Sequence, residues 1–233
     1  MASPCSWRKW ITTFEALDYD VAPDGERIVM QIADSNGMPR FWIVSLDRRS
    51  PPRDIPGVEG TQPRFGPDGD IFFRRTEGPT GFVYRVRLNG TGLRKVFEQP
   101  IYGFDGISRD GQWIKAFAIR AANEGPSWQA IPVDAGPSMP LGGAHAWHWS
   151  ATEDMVGISG SPLPEGRSYI VPLEPGEALP RMPAAGFRSE QELAALPGAR
   201  RIDVDTAVPG PSPDVYAFYR STTQRNLYRI PIR

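Results

Sequence analysis

The sequence predicts an all-β propeller of about five four-stranded blades. Three observations carry that expectation: a turn phrase returning at a blade-sized interval, apolar strand-like runs at fixed offsets from it, and a high content of turn-forming residues. The phrase stands at Ala22-Pro23-Asp24-Gly25, Gly66-Pro67-Asp68-Gly69 and Ser108-Arg109-Asp110-Gly111, and in eroded form at Ser150-Ala151-Thr152-Glu153 and Ser212-Pro213-Asp214. The first four copies are 44, 42 and 42 residues apart, and the last follows after 62. With 24 Gly and 25 Pro among 233 residues, the chain has the punctuation that many short strands need.

The first repeat shows the unit. Leu17 to Val21 reads as a first strand, Pro-Asp-Gly as a turn, and Arg27-Ile28-Val29-Met30-Gln31-Ile32 as a second strand rich in β-branched residues. Asn36-Gly37 is a hairpin signal, because both residues tolerate the positive φ of a primed turn. Phe41-Trp42-Ile43-Val44 then reads as a third strand and Asp54-Ile55 as a short fourth. The same order recurs, with second strands at 70–75, 112–119, 154–159 and 215–220 and third strands at 82–88, 128–133, 169–173 and 227–232. Side chains alternate between faces in Val83-Tyr84-Arg85-Val86-Arg87-Leu88. The blades are accordingly placed at 17–57, 61–99, 101–142, 144–183 and 201–233, in one domain.

The last repeat stops after its third strand. Ile11 precedes Pro23 by 12 residues, as Ile55 precedes Pro67 and Phe97 precedes Arg109, so residues 8–14 have the register of a fourth strand. The ring is therefore expected to close by pairing of its amino-terminal strand with its carboxy-terminal blade; the competing reading is a fragment of a larger propeller cut at blade boundaries. One segment breaks the pattern: Ser189 and Glu192 form a capping box ahead of Leu193-Ala194-Ala195-Leu196, and Pro197-Gly198 stops the run. A short helix is expected near 189–196, inserted between the fourth and fifth blades on the face that carries the connections between blades.

Composition bounds the function. The 26 basic and 27 acidic residues give a net charge of −1, which offers no electrostatic footprint for nucleic acid. The pairs Arg48-Arg49, Arg74-Arg75 and Arg200-Arg201 read as solvated turn or edge positions. A single cysteine, Cys5, excludes an internal disulfide and every multi-cysteine zinc pattern. No run is long and apolar enough to cross a bilayer, and Arg8 and Lys9 are followed by no apolar core of a secretory signal. A cytoplasmic location without membrane insertion is the expectation.

The turn residues Pro23, Asp24, Gly25, Pro67, Asp68, Gly69, Asp110, Gly111, Pro213 and Asp214 need no catalytic explanation. Pro presets φ, Asp bonds its own backbone two residues on, and Gly takes the left-handed corner. Phe41, Phe65, Phe82 and Trp149, which keep the blade period, and Trp42 and Trp113 read as packing within and between blades. Gly157-Ile158-Ser159-Gly160-Ser161 resembles a nucleophile elbow, but its fifth residue is Ser161 and no helix follows its strand. His145 and His148 alternate to opposite faces of one strand and do not converge on a metal. No phosphate-binding loop is present. No catalytic residue, metal or cofactor is assigned. First strands line a propeller's channel, so Asp18, Gln62, Asp105, His145, Asp203 and Asp205, at their entering ends, are the candidate ligand-binding rim.

The repeated Ser/Ala/Gly-Pro-Asp-Gly phrase, with its apolar and then aromatic-aliphatic strands, resembles the WD40-like repeats of the TolB-type propellers over nearly the whole chain. The closing stretch, Pro211 to Phe218 with Arg225-Asn226-Leu227-Tyr228-Arg229-Ile230-Pro231, is similar to the carboxy-terminal ends of propeller sensor regions of bacterial serine/threonine kinases and winged-helix regulators. No such upstream domain precedes the repeats in this sequence. The resemblance implies a non-catalytic protein- or peptide-binding or sensor module. An alternative is a sensor fragment detached from a kinase or transcriptional regulator, and a third reading is a propeller hydrolase or lyase using Asp and His at the channel mouth.

Overall fold

The computed structural model describes residues 16–108, 110–119, 125–134, 136–141, 144–150, 154–212 and 214–218. It is an antiparallel all-β structure whose sheets follow one another as blades. The first blade contains β1 (Ala16–Val21), β2 (Arg27–Ala33), β3 (Pro39–Ser45) and β4 (Arg53–Asp54), paired in that order. The second contains β5 (Thr61–Phe65), β6 (Ile71–Glu77), β7 (Thr80–Val86) and the first half of β8 (Arg94–Ile107). β8 is 14 residues long and serves two blades. It pairs with β7 from Arg94 to Ile101, and from Ile101 to Ile107 with β9 (Trp113–Ala118), which continues into β10 (Ser127–Pro132) and β11 (Met139–Pro140). The second and third blades thus form one seven-stranded sheet.

The fourth blade contains β12 (Ala144–Trp149), β13 (Met155–Gly160), β14 (Ser168–Pro172) and β15 (Arg200–Ile202). Of the fifth, β16 (Ala207–Pro209) and β17 (Tyr216–Phe218) are described. The expected strands at 8–14 and 227–232 and the turn residue Pro213 lie outside the described residues. Gly157-Ile158-Ser159 runs as strand within β13, and Gly160 at its end takes a positive φ of 83° where the pairing with β12 becomes irregular. Among the described residues no helix is long and apolar enough to cross a membrane.

The fourth blade departs from the sequence expectation. Ser168, Tyr169 and Ile170 of β14 pair with Ile202, Arg201 and Arg200, so residues assigned from sequence to the start of the fifth blade complete the fourth. The helix, α1 (Glu190–Ala194), therefore lies inside blade four, between its third and fourth strands. β14 ends at Pro172, opposite Met155 where β13 begins, so the excursion leaves from the face of the turn phrases. Its anchoring is physical: the Ser189 hydroxyl caps the Glu192 amide at 3.3 Å, and Arg167 and Tyr169 bond the Glu190 carboxylate. Leu193 and Phe187 are buried, with the Phe187 ring stacked 6.4 Å from that of Trp147.

The turns follow their residue chemistry. Gly25, Gly69 and Gly111 all adopt positive φ, and the Asp24 and Asp110 carboxylates accept the amides of Glu26 and Gln112 two residues on. Asp68 instead pairs with Arg85 of β7, and Asp214 with Arg200 of β15 in the preceding blade. The Asn36-Gly37 hairpin forms, but not as a primed turn. Only Gly37 has positive φ, while Asp34 accepts the amides of Asn36 and Met38 and supplies the turn carbonyl to Gly37. The aspartate supplies bonds that a primed turn would not use.

Core layers lie where one blade faces the next. Val29, Phe41 and Ile43 of the first blade meet Phe65, Ile71 and Phe73 of the second. Phe72 and Val83 meet Phe104, Ile114 and Ala116, and Ala130 and Leu141 meet Trp147, Val156 and Ile158. Met155 and Ile170 meet Ala207, with Tyr216 packed against them. Gly157 is needed at that last contact, because a Cβ there would stand 2.3 Å from the Ala207 carbonyl oxygen. Phe41 and Phe73 make an edge-to-face pair with centroids 5.1 Å apart, and both are fully buried. Phe73→Ala should therefore lower stability by about 3–5 kcal/mol, the range for a large buried aromatic. Chemical denaturation would show this as a lower midpoint, whereas an unchanged midpoint would contradict the packing.

Candidate functional site

A cavity of about 530 Å³ opens where the first strands of the blades run into their turns. This is within the range of small-ligand and side-chain pockets. Its wall takes Tyr19 and Asp20 from β1, Arg64 and Phe65 from β5, Asp105 and Gly106 from β8, His148 and Trp149 from β12, and Val208 from β16. Five strands from five blades meet there. Each is the first strand of its blade, and each contributes residues from its carboxy-terminal half to the cavity wall.

Side chains tie these strands together. Arg64 donates from Nη1 to both carboxylate oxygens of Asp18 at 3.2 Å and from Nε to the Asp105 carbonyl at 2.7 Å, joining three blades through one guanidinium. Gln62 receives the Phe104 amide on Oε1 at 2.9 Å and donates its own amide to Gln31 Oε1 at 3.0 Å. The Phe65 amide donates to Asp20 Oδ2 at 2.8 Å. Lys115, on β9 and wholly buried, donates to Asp105 Oδ2 at 2.5 Å and to the Trp147 carbonyl at 3.1 Å, linking the third blade to the fourth. Between the fourth and fifth, the Ser168 hydroxyl accepts the Ala207 amide and donates to the Val204 carbonyl.

Burial sets the protonation tendencies. Desolvation pushes the Asp20 carboxyl above its ordinary range, against the lowering effect of the Phe65 amide. Desolvation also lowers Lys115, with the Asp105 carboxylate opposing it. His148 is lowered first by burial and then by the Lys115 charge, so its imidazole is held neutral near pH 7.

The residues expected at the rim fall into different places. Asp18 is bound to Arg64 and Gln62 bridges three blades, so both serve the staples between strands. Asp105 lines the cavity and pairs with Lys115. His145 lies in β12 where the strand register shifts, and its side chain is outside the described residues. Asp203 pairs with Arg201, and Asp205 accepts the Gly166 amide, both beyond β15 and away from the cavity wall. The cavity itself is at the opposite, turn-bearing end of the inner strands. Among the described residues no group of three or more His, Cys, Asp or Glu is placed to hold a metal.

Sequence reasoning missed Asp20, Arg64 and His148. A signal existed: Asp20, Arg64, Gly106 and His148 each stand three residues before the second position of their turn phrase, and all four line the cavity. Counting from the entering end of each strand hides that register, because β1, β5, β8 and β12 all carry an irregularity of pairing. A bulge re-aims every side chain before it.

The excursion within blade four borders this face. Trp149, a cavity residue, donates from Nε1 to the Ala178 carbonyl at 2.6 Å. A smaller cavity of about 290 Å³ lies within the excursion, between Val171, Leu179 and Leu196, and an Arg181–Glu174 ion pair stands at its edge.

Two outcomes test the electrostatics. Lys115→Met leaves the Asp105 carboxylate without its cation and should cost about 3 kcal/mol, part of which Asp105→Asn restores in the double variant; additive losses in denaturation would contradict the pairing. His148 has a folded pKa below its unfolded value of 6.5. The stability its neutral form contributes is thus complete above that value and is lost as pH falls toward the folded pKa. Thermal unfolding should show a fall below about pH 6.5 that is shallower in His148→Gln, and identical profiles would contradict it.

No family model matches the sequence, and no curated protein matches it. Among solved structures the chain is similar to TolB from Acinetobacter baumannii, with a TM-score of 0.55 and 16% identity over 68% of this chain and 41% of that one. It is also similar to a putative TolB from Agrobacterium tumefaciens, with a TM-score of 0.51 and 15% identity over 73% of this chain and 62% of that one. The chain spans less than two thirds of either TolB chain. At these identities the likeness is one of fold: the chain folds as a β-propeller similar to that of TolB.

Proposed function

We propose that this propeller is a recognition module that takes a polypeptide segment into the cavity on its turn face. The observation that carries the reading is the cavity itself, walled by the inner strands of five blades and held open by side chains already bonded to one another. Arg64, Asp18, Asp105 and Lys115 are committed to joining blades, which suits a preformed binding wall better than groups that must exchange protons with a substrate. Tyr19, with 63% of its surface exposed, together with the half-buried Trp149 offers the aromatic contact area that dominates protein recognition. The blade-four excursion extends the same face and adds a second, apolar groove beside it. A detached sensor piece of a regulator would use the same surface, and it rests on the resemblance of the closing sequence alone.

Gly106 provides the test. It lines the cavity, and a Cβ built on it would have Trp149 Cζ3 at 4.0 Å as its nearest neighbour, so a side chain there fills space without displacing the fold. Peptides selected from a random display library on the intact chain should lose most of their binding to Gly106→Leu, while the thermal midpoint of the variant stays close to that of the parent. Peptides that bind both chains equally would place recognition elsewhere, and a library with no binders would count against the module altogether.

A further inference from the structure

We infer that the turn-face cavity holds a basic group of the bound polypeptide, a lysine or arginine side chain, against the carboxylate of Asp20. The inference rests on the recognition reading above and names the chemistry of the group recognised.

Charge pairing around the cavity is incomplete. Among the described residues, three carboxylates, Asp18, Asp20 and Asp105, stand on the inner strands, and two cations make ion pairs with them. Arg64 takes Asp18, and Lys115 takes Asp105. Asp20 receives main-chain amides, Phe65 at 2.8 Å, and lies within the field of the Arg64 charge, but it bonds no cationic side chain among the described residues, since Arg64 is spent on Asp18 and the Asp105 carbonyl. His148 does not supply the missing charge, since burial and the neighbouring ammonium of Lys115 hold it neutral. The result, among the described residues, is a half-buried carboxylate that faces an open cavity and makes no ion pair of its own.

The desolvation that raises the Asp20 pKa is the cost of leaving that carboxylate in a poorly hydrated wall, and a cation from outside would offset it. The remaining lining suits such a guest. Val21, Pro23, Pro67, Ile107 and Val208 give an apolar sleeve for methylene groups, and the rings of Tyr19 and Trp149 give faces that attract a cation. An acidic guest would meet Asp20 unpaired and find both basic side chains already engaged. A neutral guest would fill the cavity and leave the charge deficit as it was.

The test uses the intact chain and four blocked tripeptides, acetyl-Gly-X-Gly-amide, with X lysine, arginine, norleucine or glutamate, followed by shifts of cavity amide resonances. The lysine and arginine peptides should bind about tenfold more tightly than the norleucine peptide, and the glutamate peptide more weakly than either. Asp20→Asn keeps an acceptor for the Phe65 amide and should bring lysine and arginine to the norleucine level. Equal binding of lysine and norleucine by the parent chain overturns the inference while leaving polypeptide recognition standing. Retained lysine preference in Asp20→Asn overturns it too. Should none of the four move a cavity resonance, the cation site falls, and the library selection on the same chain decides separately whether recognition falls with it. The comparison within the parent chain holds even where the variant is unstable.

Discussion

A single guanidinium sets the geometry of the channel. Arg64 spans three blades, holding the side chain of Asp18 on one side and the backbone of Asp105 on the other. Blades pack face to face through apolar layers that are non-directional, so burial alone would let neighbouring sheets slide. Directional bonds between the inner strands remove that freedom. Arg64, Gln62, Lys115 and Ser168 act in turn from the second blade to the fifth, each bonding a backbone group of the next blade.

The cavity follows from the same constraint. Because the bonds run between strands rather than across the middle, they fix the inner strands apart and leave their turn-side ends facing open space. Buried polar groups are costly unless bonded, and here most are. Asp20, hydrogen-bonded to the Phe65 amide, differs from Asp18 and Asp105 in making no ion pair among the described residues. The two roles meet within one repeat register: Arg64 at the position that Asp20 occupies in the first blade is a staple, and His148 at the same position in the fourth is a neutral wall.

Much of the fold was legible because turns and strand periodicity are local. Pro-Asp-Gly states its own conformation, and the runs at 27–32, 71–75 and 128–132 show their apolar, strand-forming content without help from partners. The edge of blade four was not legible. Arg200-Arg201-Ile202 carries little strand signal, and its partner β14 is separated from it by the excursion that contains α1, so only tertiary pairing reveals it. The site was legible only in part. Asp18, Gln62 and Asp105 were recognised as inner-strand residues, yet their roles depend on partners such as Arg64 and Lys115 that lie at other repeat positions. Irregular pairing at the entering ends of the inner strands defeats any reading by simple alternation there.

The claim on which this account rests is that bonds between inner strands hold the cavity formed before any ligand arrives. Native-state hydrogen exchange of the Gln62, Phe65 and Phe104 amides tests it most directly, because each donates to a side chain of another blade. The account predicts that these three exchange only through global unfolding, as slowly as the central strands β2 and β6. Fast exchange at these amides, with β2 and β6 still protected, would mean that the inner strands open independently and that the cavity is not a preformed site.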